Sequence, residues 1–299
     1  MTHRTSACSA AGRLGSLGCL RRLGRPPGQL RPRRQLRQLR IVAAFAACLA
    51  GVTVIAQQPA AGTVLVTGSN RGLGLEFVRQ YAARGWRVIA TARNPKAAPE
   101  LNAIAAKNRN VTVDGLDVED VAAIKALAGK YKGTAIDVLI NNAGVLGDMK
   151  AQSSGALDYA EFEEVMAVNV FGALAMADAF RDHVAASSQR KIVSITSRSG
   201  IISQPGYRGP SFYRASKVAL NMVMRVFADE VRDRNIIVAL VSPPPTETDM
   251  LRQLIGAENA ARQGKPPDVI GGLIKVIDGL TMANSGGPPV FFDGTLLSW

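Results

Sequence analysis

From Thr63 onward, short apolar runs alternate with helical stretches, and this alternation constrains the fold more than any other feature. The runs are Thr63–Thr67, Arg87–Ala92, Val111–Leu116, Asp137–Ile140, Lys191–Ile195, Ile236–Val241 and Val290–Phe292. Between them lie stretches with helical periodicity, among them Leu75–Arg84, Val121–Lys130, Tyr159–Ala185 and Tyr213–Arg232. Strands that are apolar throughout, separated by helices, predict a parallel sheet covered on both faces. No repeat or linker follows Gly62, so residues 61–299 are expected to form one α/β domain. It would be doubly wound, with a mostly parallel sheet of about seven strands and helices on both faces. Its ligand belongs at the carboxyl ends of the strands.

The net charge of +13 invites a nucleic-acid partner, but its distribution argues against one. Residues 1–60 hold ten arginines, no lysine and no acid. The remainder carries 26 of the 36 basic residues against all 23 acidic ones, a net +3, which gives no broad basic footprint. Cys8, Cys19 and Cys48 are also confined to that leader, and beyond it the only histidine is His183. The domain therefore lacks the residues for a thiolate or multi-histidine metal site, and no metal is expected.

The leader ends in an apolar run of sixteen residues, Ile41 to Ala56, short of the ~20 that a spanning helix needs. It suits the hydrophobic region of an export signal cleaved after Val54-Ile55-Ala56, and Arg33-Arg34 loosely matches a twin-arginine signal. The expectation is an exported, periplasmic or membrane-associated protein, with residues 41–56 as the membrane contact. The alternatives are an organelle transit peptide, an uncleaved anchor, and a start codon placed too early, which would leave a cytoplasmic protein.

The first strand runs into "VTGSNRGLGLEF", where Gly68, Gly72 and Gly74 form a turn that opens a helix. A turn without side chains can approach a pyrophosphate, and the helix N-terminus favours its charge. The alternative is a turn that is merely tightly packed. An acid near the end of the second strand marks an NAD site, but here that neighbourhood is Thr91, Ala92 and Arg93. With Arg71 inside the glycine turn, two guanidiniums suit a 2′-phosphate, so NADP(H) is the expected cofactor. Further on, "SFYRASKVALN" sets Tyr213 and Lys217 one helical turn apart on one face. That spacing is either an inconsequential helix pair or an acid held beside an ammonium.

Taken in order, Thr67-Gly68-x-x-x-Gly72-x-Gly74, Asp117-Val118, "NNAG" at Asn141–Gly144, Asn169 in "VNVFG", Ser197 in "VSITSRSG" and Tyr213-x-x-x-Lys217 resemble the short-chain dehydrogenase/reductase family. The resemblance covers Gly62 to Trp299. The 16-residue step from Ser197 to Tyr213 and the ending "SGGPPVFFDGTLLSW" resemble its sniffer/C-factor-like carbonyl reductase branch. What this implies is a Rossmann-type fold and an NADPH-dependent oxidoreductase that reduces an aldehyde or ketone to an alcohol, or runs the reverse.

The resemblance also implies roles. Tyr213 would be the general acid, tuned downward by Lys217, which would also bind the nicotinamide ribose. Ser197 would hold the substrate oxygen, and Asn169 would hold a relay water through its carbonyl. Asp117 and Val118 would meet the adenine. Asn70, Arg71, Leu73 and Arg93 would join Gly68, Gly72 and Gly74 on the phosphate side. Asn141, Ala143 and Gly144 would shape the pocket, and Thr246 and Thr248 would face the carboxamide.

One departure is Pro244 in "VSPPPTETDM", where the family carries glycine. Proline fixes φ near −65° and removes an N–H, which puts nicotinamide placement in question. The rival reading is therefore a cofactor-binding signalling or scaffold protein with little turnover. An extended sugar-nucleotide epimerase or dehydratase is disfavoured by the glycine spacing and the short chain after Thr248. The partner is a small-molecule carbonyl or alcohol, whose pocket is expected from Val145–Asp148, Arg198–Pro210 and Met250–Pro267. The apolar faces of Tyr159–Ala185 and Tyr213–Arg232 could pack a homodimer or homotetramer.

Overall fold

The computed structural model describes residues 61–203 and 209–299. The leader, with its apolar run and cleavage point, lies outside the described residues. Seven strands form one sheet: β1 (Thr63–Val66), β2 (Arg87–Ala92), β3 (Val111–Gly115), β4 (Val138–Asn141), β5 (Lys191–Ile195), β6 (Ile237–Ser242) and β7 (Val290–Phe291). Every pairing is parallel and the order is β3-β2-β1-β4-β5-β6-β7. The order reverses between β1 and β4, which opens a crevice at their carboxyl ends. The architecture is the Rossmann-type doubly wound fold that the alternation predicts. Strand ends differ from the sequence reading by a residue or so. β4 is assigned from Val138, although the Asp137 backbone already bonds to Thr63 O and Lys191 N, and its carboxylate accepts from Thr63 N and the Ser188 hydroxyl.

Alternation within each strand divides the core. Val64, Val66, Val88 and Ala90 face a layer built on α1 (Gly72–Ala83), α2 (Pro99–Lys107) and the helix Pro266–Gly279, numbered α9 below. Leu65, Ile89 and Leu139 face the opposite layer, built on α3 (Val121–Lys130) and two long helices. The first of these, expected as one helix over Tyr159–Ala185, is α4 (Tyr159–Met166) and α5 (Gly172–Ala185) joined by a π-helical turn over Ala167–Phe171. A π turn admits one extra residue and leaves a carbonyl outside the i→i−4 pattern, a feature found at functional sites. Asn169 stands in it.

The second long helix is α6 (Ser211–Glu230), which begins two residues before the expected start. Two short helices, α7 (Asp249–Ile255) and α8 (Ala257–Ala261), then form a flap after β6, followed by α9 (Pro266–Gly279). The flap is tied at its base by a bridge between Thr246 and Gly264 and by Glu247 N–H donating to Gly264 O at 2.9 Å.

Candidate active site

A cavity of about 1020 Å³ opens at the carboxyl ends of β1, β4 and β5. At one end is the glycine turn. Gly68 and Gly72 have φ of +65° and +57°, a region costly for any residue with a Cβ. Gly74 is required for a different reason, close approach. A Cβ there would stand 2.2 Å from the Gly68 carbonyl oxygen and 2.5 Å from Asn142 Nδ2. No side chain caps α1 and no acid occupies its first turn, so its N-terminus faces the cavity as a site for an anion. If the turn holds the pyrophosphate of a dinucleotide, Gly74→Ala should abolish detectable NAD(P)H binding in a fluorescence titration, because the Cβ meets backbone that cannot move without opening the turn.

The turn is held from β4. The Thr67 hydroxyl accepts the N–H groups of Asn142 and Ala143, both at 3.0 Å, and Asn142 Nδ2 donates to Thr67 O at 2.8 Å and Gly68 O at 3.1 Å. Asn142, which the sequence reading passed over, is therefore the asparagine of the "NNAG" motif that lines the cavity. Asn141 is turned the other way. Its buried amide donates to Ala173 O on α5 and to the Ser194 hydroxyl. The period of two along a strand explains this, since adjacent asparagines face opposite sides of the sheet.

Asn70, Arg71, Leu73, Arg93, Asp117, Val118, Ala143, Gly144, Thr246 and Thr248 also line the cavity. Arg71 is exposed and pairs with Asp249 of α7 at 3.5 Å, and Arg93 is exposed at the end of β2. Asp117 accepts the Glu119 N–H at 3.1 Å and so shapes its own loop. Pro244 takes no positive φ. Among the described residues, only Arg190 and Asn235 have positive φ without being glycine, and the Pro244 carbonyl accepts the Thr246 hydroxyl at 2.7 Å. Thr248 caps α7 by accepting the Leu251 N–H.

Ser197, Tyr213 and Lys217 meet on the cavity wall beyond Gly144. Ser197 follows β5, and its Oγ accepts the Ser199 N–H at 3.1 Å. Tyr213 and Lys217 are buried on α6, with Lys217 Nζ 5.6 Å from the Tyr213 ring centroid. Lys217 Nζ donates to Ile195 O at 2.9 Å, which anchors α6 to the end of β5. Gly144 keeps the floor open, since a Cβ there would lie 3.2 Å from Asn169 Oδ1 and 3.8 Å from Lys217 Nζ.

Asn169 lies behind this wall rather than on it. Its side chain exchanges two bonds with the Val145 backbone and donates to the Ser216 hydroxyl, which donates to Tyr213 O. His183 is half-buried and structural, with its Nε2 3.1 Å from Ala128 O.

Burial governs the ionisation of the pair. It pushes the Tyr213 phenol above its ordinary value, and a hydrogen bond with Ser197 partly offsets this. It pulls Lys217 down to about 8. Both shifts favour the neutral forms. The expected lowering of Tyr213 by Lys217 is not what sets its ionisation here: burial raises it, and the opposing influence comes from Ser197.

Comparison with known proteins decides the family. A short chain dehydrogenase profile matches residues 62–259, about two thirds of the chain. The chain belongs to the short-chain dehydrogenase/reductase family. It is 35% identical over 178 residues to C-signal of Myxococcus xanthus, a match spanning 59% of this chain and all of that one. Its domain superposes on an NADPH-bound carbonyl reductase from chicken fatty liver with a TM-score of 0.72 at 31% identity, covering 80% of this chain and 99% of the other. It also superposes on the carbonyl reductase Sniffer of D. melanogaster with a TM-score of 0.71 at 26% identity, covering 80% and 100%. These likenesses place the chain near the sniffer/C-factor-like branch, in a family of NAD(P)-dependent oxidoreductases that act on small molecules.

Proposed function

We propose that the protein is an NADP(H)-dependent carbonyl reductase in which Tyr213 is the proton donor. The observation that carries this reading is the convergence of Ser197, Tyr213 and Lys217 on one wall of a cavity that ends in the glycine turn. The residues fit the cofactor. Gly68, Gly72 and Gly74 leave a cradle that side chains would fill, the first turn of α1 faces it, and Arg71 and Arg93 stand where a 2′-phosphate needs cations. When bound, the nicotinamide supplies the hydride to the substrate carbon. Ser197 holds the carbonyl oxygen, and Tyr213 gives that oxygen its proton. Lys217 keeps its ammonium predominant at neutral pH, about one unit below its own titration. It stabilises the tyrosinate left behind and helps Tyr213 recover a proton. Asn169 orders the loop after β4 against α6 and, through its carbonyl in the π turn, holds the relay water that connects Lys217 to solvent.

NADPH oxidation against a panel of aldehydes and ketones, with Tyr213→Phe as control, tests this reading. A second reading, a cofactor-binding signalling protein with little turnover, is favoured by the likeness to C-signal. It predicts tight NADPH binding with no oxidation across the panel.

The substrate end of the cavity is lined by Val145, Leu146, Met250, Leu254 and Ile255, with Arg198 and Gln253 among them, a mostly apolar surface with a few polar groups, suited to a carbonyl compound. Residues 204–208 of the expected pocket lie outside the described ones, and the Asp148 N–H donates to the Glu161 carboxylate of α4. Phe171, Met222 and Val226 remain exposed along the π turn and α6, which supports a homodimer or homotetramer packed through these helices.

Export, or attachment to the membrane through residues 41–56, is proposed from the charge and apolar run of the leader. The mature N-terminus is expected near Gln57. Fractionation with N-terminal sequencing checks this, and a soluble cytoplasmic protein that retains residues 42–56 would count against it.

A further inference from the structure

Helix α6, which carries Tyr213 and Lys217, starts without a cap of its own. Pro210 precedes it and offers no side-chain acceptor. The N–H groups of a helix's first turn require partners, above all when buried. Here those of Phe212 and Tyr213 both donate to a single atom, Oε1 of Gln152, at 3.0 and 3.1 Å. Gln152 lies 60 residues earlier, in the loop between β4 and α4. It is 4% exposed. Its Nε2 donates to Leu146 O at 2.9 Å and Asp148 O at 3.1 Å, and its own carbonyl accepts the Ser211 hydroxyl at 2.9 Å. Both N–H groups and the oxygen of the amide are thus engaged.

The two ends of this amide meet the active site from opposite sides. Leu146 and Gly147 line the cavity where the substrate would lie, and Tyr213 lines it from α6. The loop is tightly set at that point. Gly147 has φ +79°, and a Cβ there would stand 3.0 Å from Gln152 Nε2. The Phe162 and Phe212 rings, 5.1 Å apart, join α4 to the same helix start.

We propose that Gln152 is a positioning residue for proton transfer by Tyr213, one buried amide that fixes the acid's backbone relative to the substrate-facing wall. The proposal rests on the reading of Tyr213 as the acid. None of the hydrogen bonds of Gln152 reaches the glycine turn, Arg93 or Asp117, so its effect belongs to the chemical step rather than to cofactor affinity.

Two variants of the full chain test it. Gln152→Met keeps length and apolar bulk but makes none of the four side-chain bonds. Its NADPH Kd, by fluorescence, should stay within about twofold, while kcat falls ~10- to 100-fold, the scale of a misplacement near 1 Å. Gln152→Glu keeps the acceptor for the Phe212 and Tyr213 N–H groups, but its second oxygen faces the Leu146 and Asp148 carbonyls, where only a protonated carboxyl can donate. Its kcat should lie closer to wild type than that of Gln152→Met at pH 6 and fall ~10-fold or more as the carboxyl ionises against those carbonyls at higher pH, with NADPH Kd within about twofold throughout.

Wild-type kcat in Gln152→Met, or a pH profile of kcat in Gln152→Glu that matches wild type, overturns the proposal. So does a loss of Tm with kcat per folded molecule unchanged, which marks a cap that is only structural. Should Gln152→Met fail to fold, the pH profile of Gln152→Glu decides. Retained activity in Tyr213→Phe would instead overturn the acid reading. Its loss in Tyr213→Phe, with wild-type behaviour in Gln152→Met, removes only the role of Gln152.

Discussion

Replacing Tyr213 with phenylalanine is expected to lower kcat for carbonyl reduction by ~10²-fold or more, the usual scale for a positioned acid, with the fold and NADPH Kd unchanged. The substitution removes one oxygen from a ring packed on a cavity wall. It takes away the proton that the substrate oxygen needs and the hydrogen bond with Ser197, but none of the backbone that holds the glycine turn. Burial holds both Tyr213 and Lys217 toward their neutral forms, so the phenol carries its proton across the neutral range. Reduction should therefore persist at mildly acid pH and decline in alkali as Lys217 loses its charge near 8. Steady-state kinetics from pH 6 to pH 10, with circular dichroism as the folding control, measure both effects. A Phe variant with near wild-type kcat would refute the assignment.

The double change Arg71→Ala, Arg93→Ala is expected to weaken NADPH binding ~30-fold or more while leaving NADH within about threefold. A charge-assisted hydrogen bond contributes about 1.5–3 kcal/mol, and each 1.4 kcal/mol is tenfold in Kd. Arg71 already pairs with Asp249, but at 3.5 Å and with both side chains largely exposed that pair contributes little. A dianionic phosphate would displace it readily. Arg93 has only a through-space attraction to Glu119 to give up, and Thr91 and Ala92 beside it at the end of β2 are buried. Fluorescence titration with each cofactor checks the expectation without relying on turnover. Equal losses for NADPH and NADH would mean that the two guanidiniums are ordinary surface charges.

Much of this molecule is legible from local pattern. Apolar runs alternating with helices imply a covered parallel sheet, because a strand buried on both faces has no polar side to display. The seven runs correspond to the seven strands within a residue or so. The turn at Gly68–Gly74 and the Tyr213–Lys217 pair are legible for the same reason, since each is a chemical demand met within a few consecutive residues.

What the sequence could not determine depends on contacts between distant residues. It does not say which of Asn141 and Asn142 meets the cavity, because that follows from how β4 registers between β1 and β5. Nor does it show that Asn169 sits in a π turn and spends its amide on Val145 and Ser216. The neutralising effect of burial on Tyr213 and Lys217 has no local signature, because desolvation depends on everything packed around a group. Gln152 is the plainest case. It sits in a loop with no motif around it, and only the packing of that loop against α6 brings its amide to two N–H groups 60 residues away.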